Sequence, residues 1–262
     1  MIQVNLGSIS TIAANVFREV IRDRTLYLVA LYALILLAAI LLLPEVAAGT
    51  QDKMTLDLGL GAMNLLGLIV TVFIGTGLIN KEIEKRTVLV LISKPIGRSE
   101  LIVGKFLGLS AVLAVLIALM TAIFIAILQV NEMPFPLGSI IVASVFLFLQ
   151  LSLIVSIAII FGTFTSSLLA TLLTFGIYLM GHFSRDLLQL GEISENPGIQ
   201  PLAKGLYLIL PDLARLDLKN GAVYGSAALP DIATLLLNAI YGGVYAILLL
   251  SVATVVFSRR EF

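Results

Sequence analysis

From Met133 to Ser184 the chain runs for 52 residues without an Asp, Glu, Lys or Arg. In lipid, backbone N–H and C=O groups must be satisfied within the segment, so a run of this kind is read as membrane helix. A hydrocarbon core of about 30 Å takes roughly 20 helical residues and a span tolerates at most about 25. The stretch is too long for one crossing and suits a helical hairpin. The break is predicted at Gly162-Thr-Phe-Thr-Ser-Ser167, which gives spans over 137–161 and 168–183. Composition agrees: 60% of residues are hydrophobic and 12% charged, against about 45–50% and 25% in soluble domains. That excludes an ordinary soluble enzyme, a disordered tail and a nucleic-acid binder with a basic face. The absence of Cys removes disulfides, thiolate chemistry and Cys-type zinc sites.

Further apolar runs cover 26–43 (ended by Pro44), 58–79, 106–130 and 232–257. The expected architecture is therefore an all-α polytopic membrane protein, a single transmembrane domain over 1–262 with six spanning helices. Basic residues mark the inner face of a membrane. With both termini cytoplasmic, the inner segments hold eleven bases and six acids, and the outer ones five bases and ten acids. The formal net charge of zero is thus two opposed layers, and the expected location is the cell (inner) membrane.

Three of the segments outside these spans carry a readable pattern. Within 1–25, Ile9, Ile12, Ala13, Val16, Phe17, Val20 and Ile21 recur at helical spacing and form an amphipathic stripe. Ser8 or Ser10 is the expected N-cap, and such a helix is expected to lie flat at the inner interface. Segment 80–105 is an inner loop. Glu82 and Arg86 are spaced for an i,i+4 pair there, Pro95 and Gly97 stop a short helix, and Ser99 with Glu100 starts the next. Segment 184–231 is an outer loop rich in Gly and Pro, and its apolar stretches 187–190 and 202–210 are too short to span.

The chain has no Gly-x-x-x-x-Gly-Lys-[Ser/Thr] phosphate loop and no Gly-x-Ser-x-Gly elbow. His182, the single His, has Asp186 at i+4, two ligands at most for a metal. Ser167, Thr171, Thr174 and Tyr178 make one polar stripe on the fifth span, and Asn64 and Thr71 share a face of the second. Such stripes line a route or hold helices together. Gly104 and Gly108 form a small-xxx-small element suited to close packing. No span carries a central ionisable residue, so the energy for any transport enters from outside the membrane domain.

The stretch Glu82-Ile-Glu84-Lys-Arg-Thr87, then Leu91-Ile-Ser-Lys-Pro95-Ile-Gly-Arg98, then Gly104-Lys105-Phe-Leu-Gly108 is similar to one carried by the membrane subunits of ABC transporters of the ABC-2 type. Pro211-Asp-Leu-Ala-Arg-Leu-Asp217 resembles a Leu-Pro-Asn-Leu motif of their last outer loop, with Asp212 in place of the Asn. The resemblance implies a non-catalytic permease subunit of an ATP-driven exporter, pairing with a second copy of itself or a similar permease. It implies a separate ABC ATPase subunit that binds the ATP and Mg, with no cofactor in this chain, no metal and no nucleic-acid partner. Glu82, Glu84, Arg86, Thr87, Leu91, Ser93, Pro95 and Arg98 would form the ATPase-coupling loop. Ile12, Val16, Phe17, Arg18, Val20 and Arg22 would belong to a connecting helix between the ATPase and the lipid bilayer. Asn64, Thr71, Ser167, Thr171, Thr174 and Tyr178 would line the route. A self-contained channel or secondary transporter, or an intramembrane enzyme using His182, is the alternative.

Overall fold

The computed structural model describes residues 5–46, 49–84, 97–194 and 198–259, apart from the side chains of Asp23, Arg24, Val46, Lys81–Glu84 and Glu192. Every regular element among them is helical. In order these are α1 (Leu6–Val20), a π turn (Ile21–Thr25), α2 (Tyr27–Val46), α3 (Gln51–Glu84), α4 (Arg98–Val130) and α5 (Leu137–Phe164). There follow α6 (Ser167–His182), α7 (Ser184–Ile193), α8 (Ile199–Ile209), α9 (Lys219–Val223) and α10 (Ile232–Arg259), with 3-10 turns at Leu213–Arg215 and Ser226–Ala228.

Five helices are long and apolar enough to cross a membrane: α2, α3, α4, α5 and α10. Helices α6 and α7 pass the same test only together, bent by 58° at their junction as in a broken span or a re-entrant loop, which gives five to six crossings among the described residues. With 16 residues, α6 alone is about 24 Å long and falls short of a hydrocarbon core. The charge-free stretch is divided between the end of α5 at Phe164 and the start of α6 at Ser167.

Helix α5 is the centre of the bundle, packed by α3, α4, α6, α9 and α10. Residues 150–159 are buried without a break, so every face of the helix is covered there, as expected of a helix apolar nearly all round. Two glycines of α3 allow it to approach α5 closely: a Cβ on Gly67 would lie 2.5 Å from Leu151 Cδ1, and one on Gly75 would lie 3.0 Å from Ala158 Cβ. Helix α2 is peripheral. It is held by buried Tyr32 and Leu36, and the Tyr32 hydroxyl donates to the Gly59 carbonyl at 3.2 Å. Outward-facing Leu34, Leu41, Leu236 and Ile247 are exposed, the surface that lipid covers in a membrane protein.

Three element ends differ from the sequence reading. The N-cap of α1 is Asn5, whose Oδ1 accepts from the Gly7 N–H at 3.0 Å; Ser8 and Ser10 lie inside the helix, and Ser10 Oγ donates back to Gly7 O. Pro44 does not end α2, which runs to Val46; so near a terminus the missing N–H leaves only one carbonyl without its partner. Helix α4 begins at Arg98, after Gly97, because Glu100 reaches back to the Gly97 N–H.

Candidate functional site

The first candidate site is the junction where α4 leaves the inner loop. Glu100, 3% exposed, accepts from the Asn5 N–H at 2.8 Å through Oε1 and from the Gly97 N–H at 3.2 Å through Oε2. One carboxylate thereby supplies the return half of a capping box for α4 and a partner for the start of α1. Arg98 points the other way. Its Nη1 donates to the Phe257 carbonyl at 3.1 Å and also to the Ser258 carbonyl, closing the C-terminal end of α10 where a cation is favoured. Buried Lys105, two turns beyond Arg98, donates to the Leu78 carbonyl of α3. Within eight residues of sequence, α4 is tied to α1, α3 and α10.

Helix α1 lies on α4 through the two glycines. A Cβ on Gly104 would come within 2.8 Å of Ile12 Cβ, and one on Gly108 within 2.7 Å of both Ala13 O and Val16 Cβ. The small-xxx-small element therefore seats the amphipathic helix rather than another spanning helix. Val16 and Val20 are buried, Ile12 and Phe17 half-buried, and Arg18 and Arg22 exposed. The π turn at Ile21–Thr25 leads from this helix into α2. Of the loop residues singled out in the sequence, Glu82 and Glu84 are placed only as backbone of α3. Arg86, Thr87, Leu91, Ser93 and Pro95 lie outside the described residues.

The second candidate is the seam between α3 and α6, where the two polar stripes meet. Tyr178 OH donates to Asn64 Oδ1 at 3.4 Å, and the Thr76 and Thr171 hydroxyls are 3.0 Å apart. Thr76 is a member that the sequence reading missed. Thr71 and Thr174 are fully buried, but each hydroxyl returns to its own helix, at Gly67 O and Ala170 O. Half-buried Ser167 contributes its carbonyl as acceptor for the Thr171 hydroxyl. Beside the seam an apolar groove of about 270 Å³ opens between Leu68, Val72 and Phe73 on α3 and Leu172 and Phe175 on α6.

Above the seam lies a polar network. His182 Nδ1 is 3.0 Å from the Tyr178 carbonyl, and its Nε2 is 2.9 Å from Gln150 Nε2 and 3.4 Å from Asp217 Oδ2. Lys219 Nζ donates to the same Asp217 oxygen at 2.6 Å. Burial would raise the Asp217 carboxyl, but hydrogen bonds from His182 and Lys219, together with the Lys219 charge, outweigh it and hold it at about 2. The acid near His182 is thus Asp217 from the outer loop rather than Asp186, and an i+4 search could not reach across that distance in sequence. No group of three His, Cys, Asp or Glu side chains forms a metal site among the described residues.

A family model described as an ABC-2 family transporter protein matches residues 10–262. The chain belongs to the ABC-2 transporter family. No curated protein matches it. The matched region of this ABC-2 transporter holds the glycine pair and Glu100, both stripes of the seam and the outer network. Membership supports an ABC-type permease role at a multi-pass membrane location. In this family such chains are generally non-catalytic transmembrane subunits.

Proposed function

We propose that this chain is the permease subunit of an ATP-driven exporter in the inner membrane, with both termini in the cytoplasm, working as a dimer beside a separate ATPase that binds ATP and Mg. The observation that supports this reading best is the Glu100–Arg98 junction. A segment that ends where α1, α4 and α10 are bound together is mechanically suited to deliver a push to all three helices. Loop residues 82–98 meet the ATPase, with Thr87 to Ser93 as the contact and Glu82, Glu84, Arg86, Leu91, Pro95 and Arg98 framing it. The amphipathic helix, with Arg18 and Arg22 outward, rests between ATPase and bilayer. Motion of the junction tilts α4 and α10 against α5, and the seam lined by Asn64, Thr71, Ser167, Thr171, Thr174 and Tyr178 widens into the route.

Affinity purification from native membranes tests this. The wild-type chain retains an ABC-type ATPase; a variant with Thr87–Pro95 replaced by a Gly-Ser linker loses it while remaining in the membrane. Transport by the chain alone in liposomes, without ATP, would refute the reading. So would an activity of the isolated chain that disappears in His182→Ala.

A further inference from the structure

The motif Pro211–Asp217 folds into a charge cluster that neither the coupling junction nor the seam uses. Asp212 Oδ2 accepts from Arg185 Nε at 2.8 Å and from Arg215 Nε at 2.9 Å. The Asp212 N–H donates to Tyr241 OH at 2.9 Å. Arg215 lies 5.0 Å over the Tyr241 ring and reaches Tyr207 OH through Nη2 at 3.4 Å.

Two guanidinium ions share one carboxylate through a single oxygen, while Asp212 Oδ1 is buried and accepts no hydrogen bond among the described residues. The cluster therefore carries one excess positive charge. Asp186, next in sequence to Arg185, makes no ion pair with either arginine among the described residues. The Asp212 side chain is 4% exposed, whereas Arg185 is 51% and Arg215 38% exposed. An arginine has five N–H donors, and only Nε of Arg185 is occupied among the described residues. Apart from the Arg215 Nη2 given to Tyr207, the remaining donors belong to two side chains partly open to the surface.

The surroundings of the cluster select the anion. Tyr241 stands nine residues after Ile232 and eighteen before Arg259, in the half of α10 away from the inner loop. The cluster docked on Tyr241 therefore lies on the outer half of a membrane-spanning helix. Beside it, Leu208 and Ile209 of α8 and Leu236, Leu237 and Ile240 of α10 are exposed. Tyr245 OH donates to the Ile209 carbonyl at 2.6 Å and holds the end of α8 against α10. A cationic fork beside an exposed apolar surface matches a molecule with a phosphate head and acyl tails.

We propose that Arg185 and Arg215 form a binding site for the phosphate of an anionic phospholipid in the leaflet opposite the inner loop. The site rests on the membrane-spanning reading of the chain and is independent of the ATPase. The test is native mass spectrometry of the detergent-purified chain titrated with dioleoyl phosphatidylglycerol, dioleoyl phosphatidylcholine or inorganic phosphate. The wild type is expected to retain one phosphatidylglycerol in preference to phosphatidylcholine, and inorganic phosphate at equal concentration is expected not to displace it. Arg185→Gln with Arg215→Gln is expected to weaken retention at least about tenfold, the scale of one lost charged hydrogen bond; the charge control Lys53→Gln leaves it unchanged. Should the double Gln variant not fold, Arg185→Lys with Arg215→Lys keeps the charge but loses the forks, and weaker retention by that pair is the expected result. Equal retention by the folded variants overturns the proposal, as does equal retention of the two lipids by the wild type. Displacement by inorganic phosphate would assign a soluble-anion site instead. Failure of the chain to remain in carbonate-washed membranes would refute the membrane reading separately.

Discussion

Gly108→Ala tests how the amphipathic helix is held. The new Cβ would stand 2.7 Å from the Ala13 carbonyl oxygen and from Val16 Cβ, where ordinary contact begins at 3.4 Å. Neither obstacle is the free end of a flexible side chain, so α1 must retreat by about 0.7 Å across packed apolar surface, and overpacking of this kind costs about 1–3 kcal/mol. Gly104→Ala meets Ile12 at 2.8 Å and calls for nearly the same retreat. One displacement relieves both clashes, so the double variant is expected to cost clearly less than the sum of the two. Because the chain has no Cys, a single Val20→Cys, at a position 3% exposed, reports release of α1 through its maleimide labelling rate. Gly108→Ala in that background is expected to raise the rate about five- to 150-fold, the population change for 1–3 kcal/mol. Gly176→Ala, where a Cβ meets nothing within 4 Å, is the control and should leave it unchanged. An unchanged rate in Gly108→Ala, or fully additive effects in the double variant, would refute the close packing of α1 on α4.

Glu100→Gln keeps the shape but removes the charge that receives the Asn5 and Gly97 N–H groups; the same labelling assay should show faster release of α1. Asp217 has its carboxyl lowered to about 2 from 3.8, so its contribution is fully present above the unfolded value and is lost as pH falls from about 4 toward 2. Thermal unfolding in detergent should lose roughly 2 kcal/mol of stability over that window, and Asp217→Asn should remove that part of the pH dependence. Thr171→Val deletes the contact with Thr76, but both hydroxyls also bond to their own helices. The stability cost should stay below about 1 kcal/mol, while ATP-dependent efflux changes if the seam is the route; a large stability loss with unaltered efflux would make the contact structural only.

How much of this was legible depended on the range of each interaction. Apolar runs are local, so the helices of the bundle could be read from uncharged length, and the Gly162–Ser167 segment carried its own turn chemistry. The polar stripes on the second and fifth spans could be read as faces, but not the Tyr178–Asn64 and Thr76–Thr171 pairs that join them. Gly104 and Gly108 announced a close approach without naming α1 as the partner, since spacing says only that some backbone comes near. Asp217 and Gln150 were invisible as partners of His182: they lie 35 and 32 residues away, and only the inward fold of the outer loop brings the acid to the histidine. The N-cap failed for a simpler reason. Asn5 stands four residues before Ile9, where the apolar periodicity begins, and the serines nearer the stripe were equally good candidates by type.

The central claim is that segment 82–98 meets an ATPase. Ser93→Cys in the naturally Cys-free chain, labelled with a photoactivatable maleimide in native membranes and irradiated, tests it most directly, with Gly198→Cys in the outer loop as the comparison. The account predicts an adduct between Ser93→Cys and an ABC-type ATPase chain, identified by peptide mass spectrometry, and none from Gly198→Cys. No ATPase adduct from Ser93→Cys, or equal yield from the outer-loop position, would contradict it.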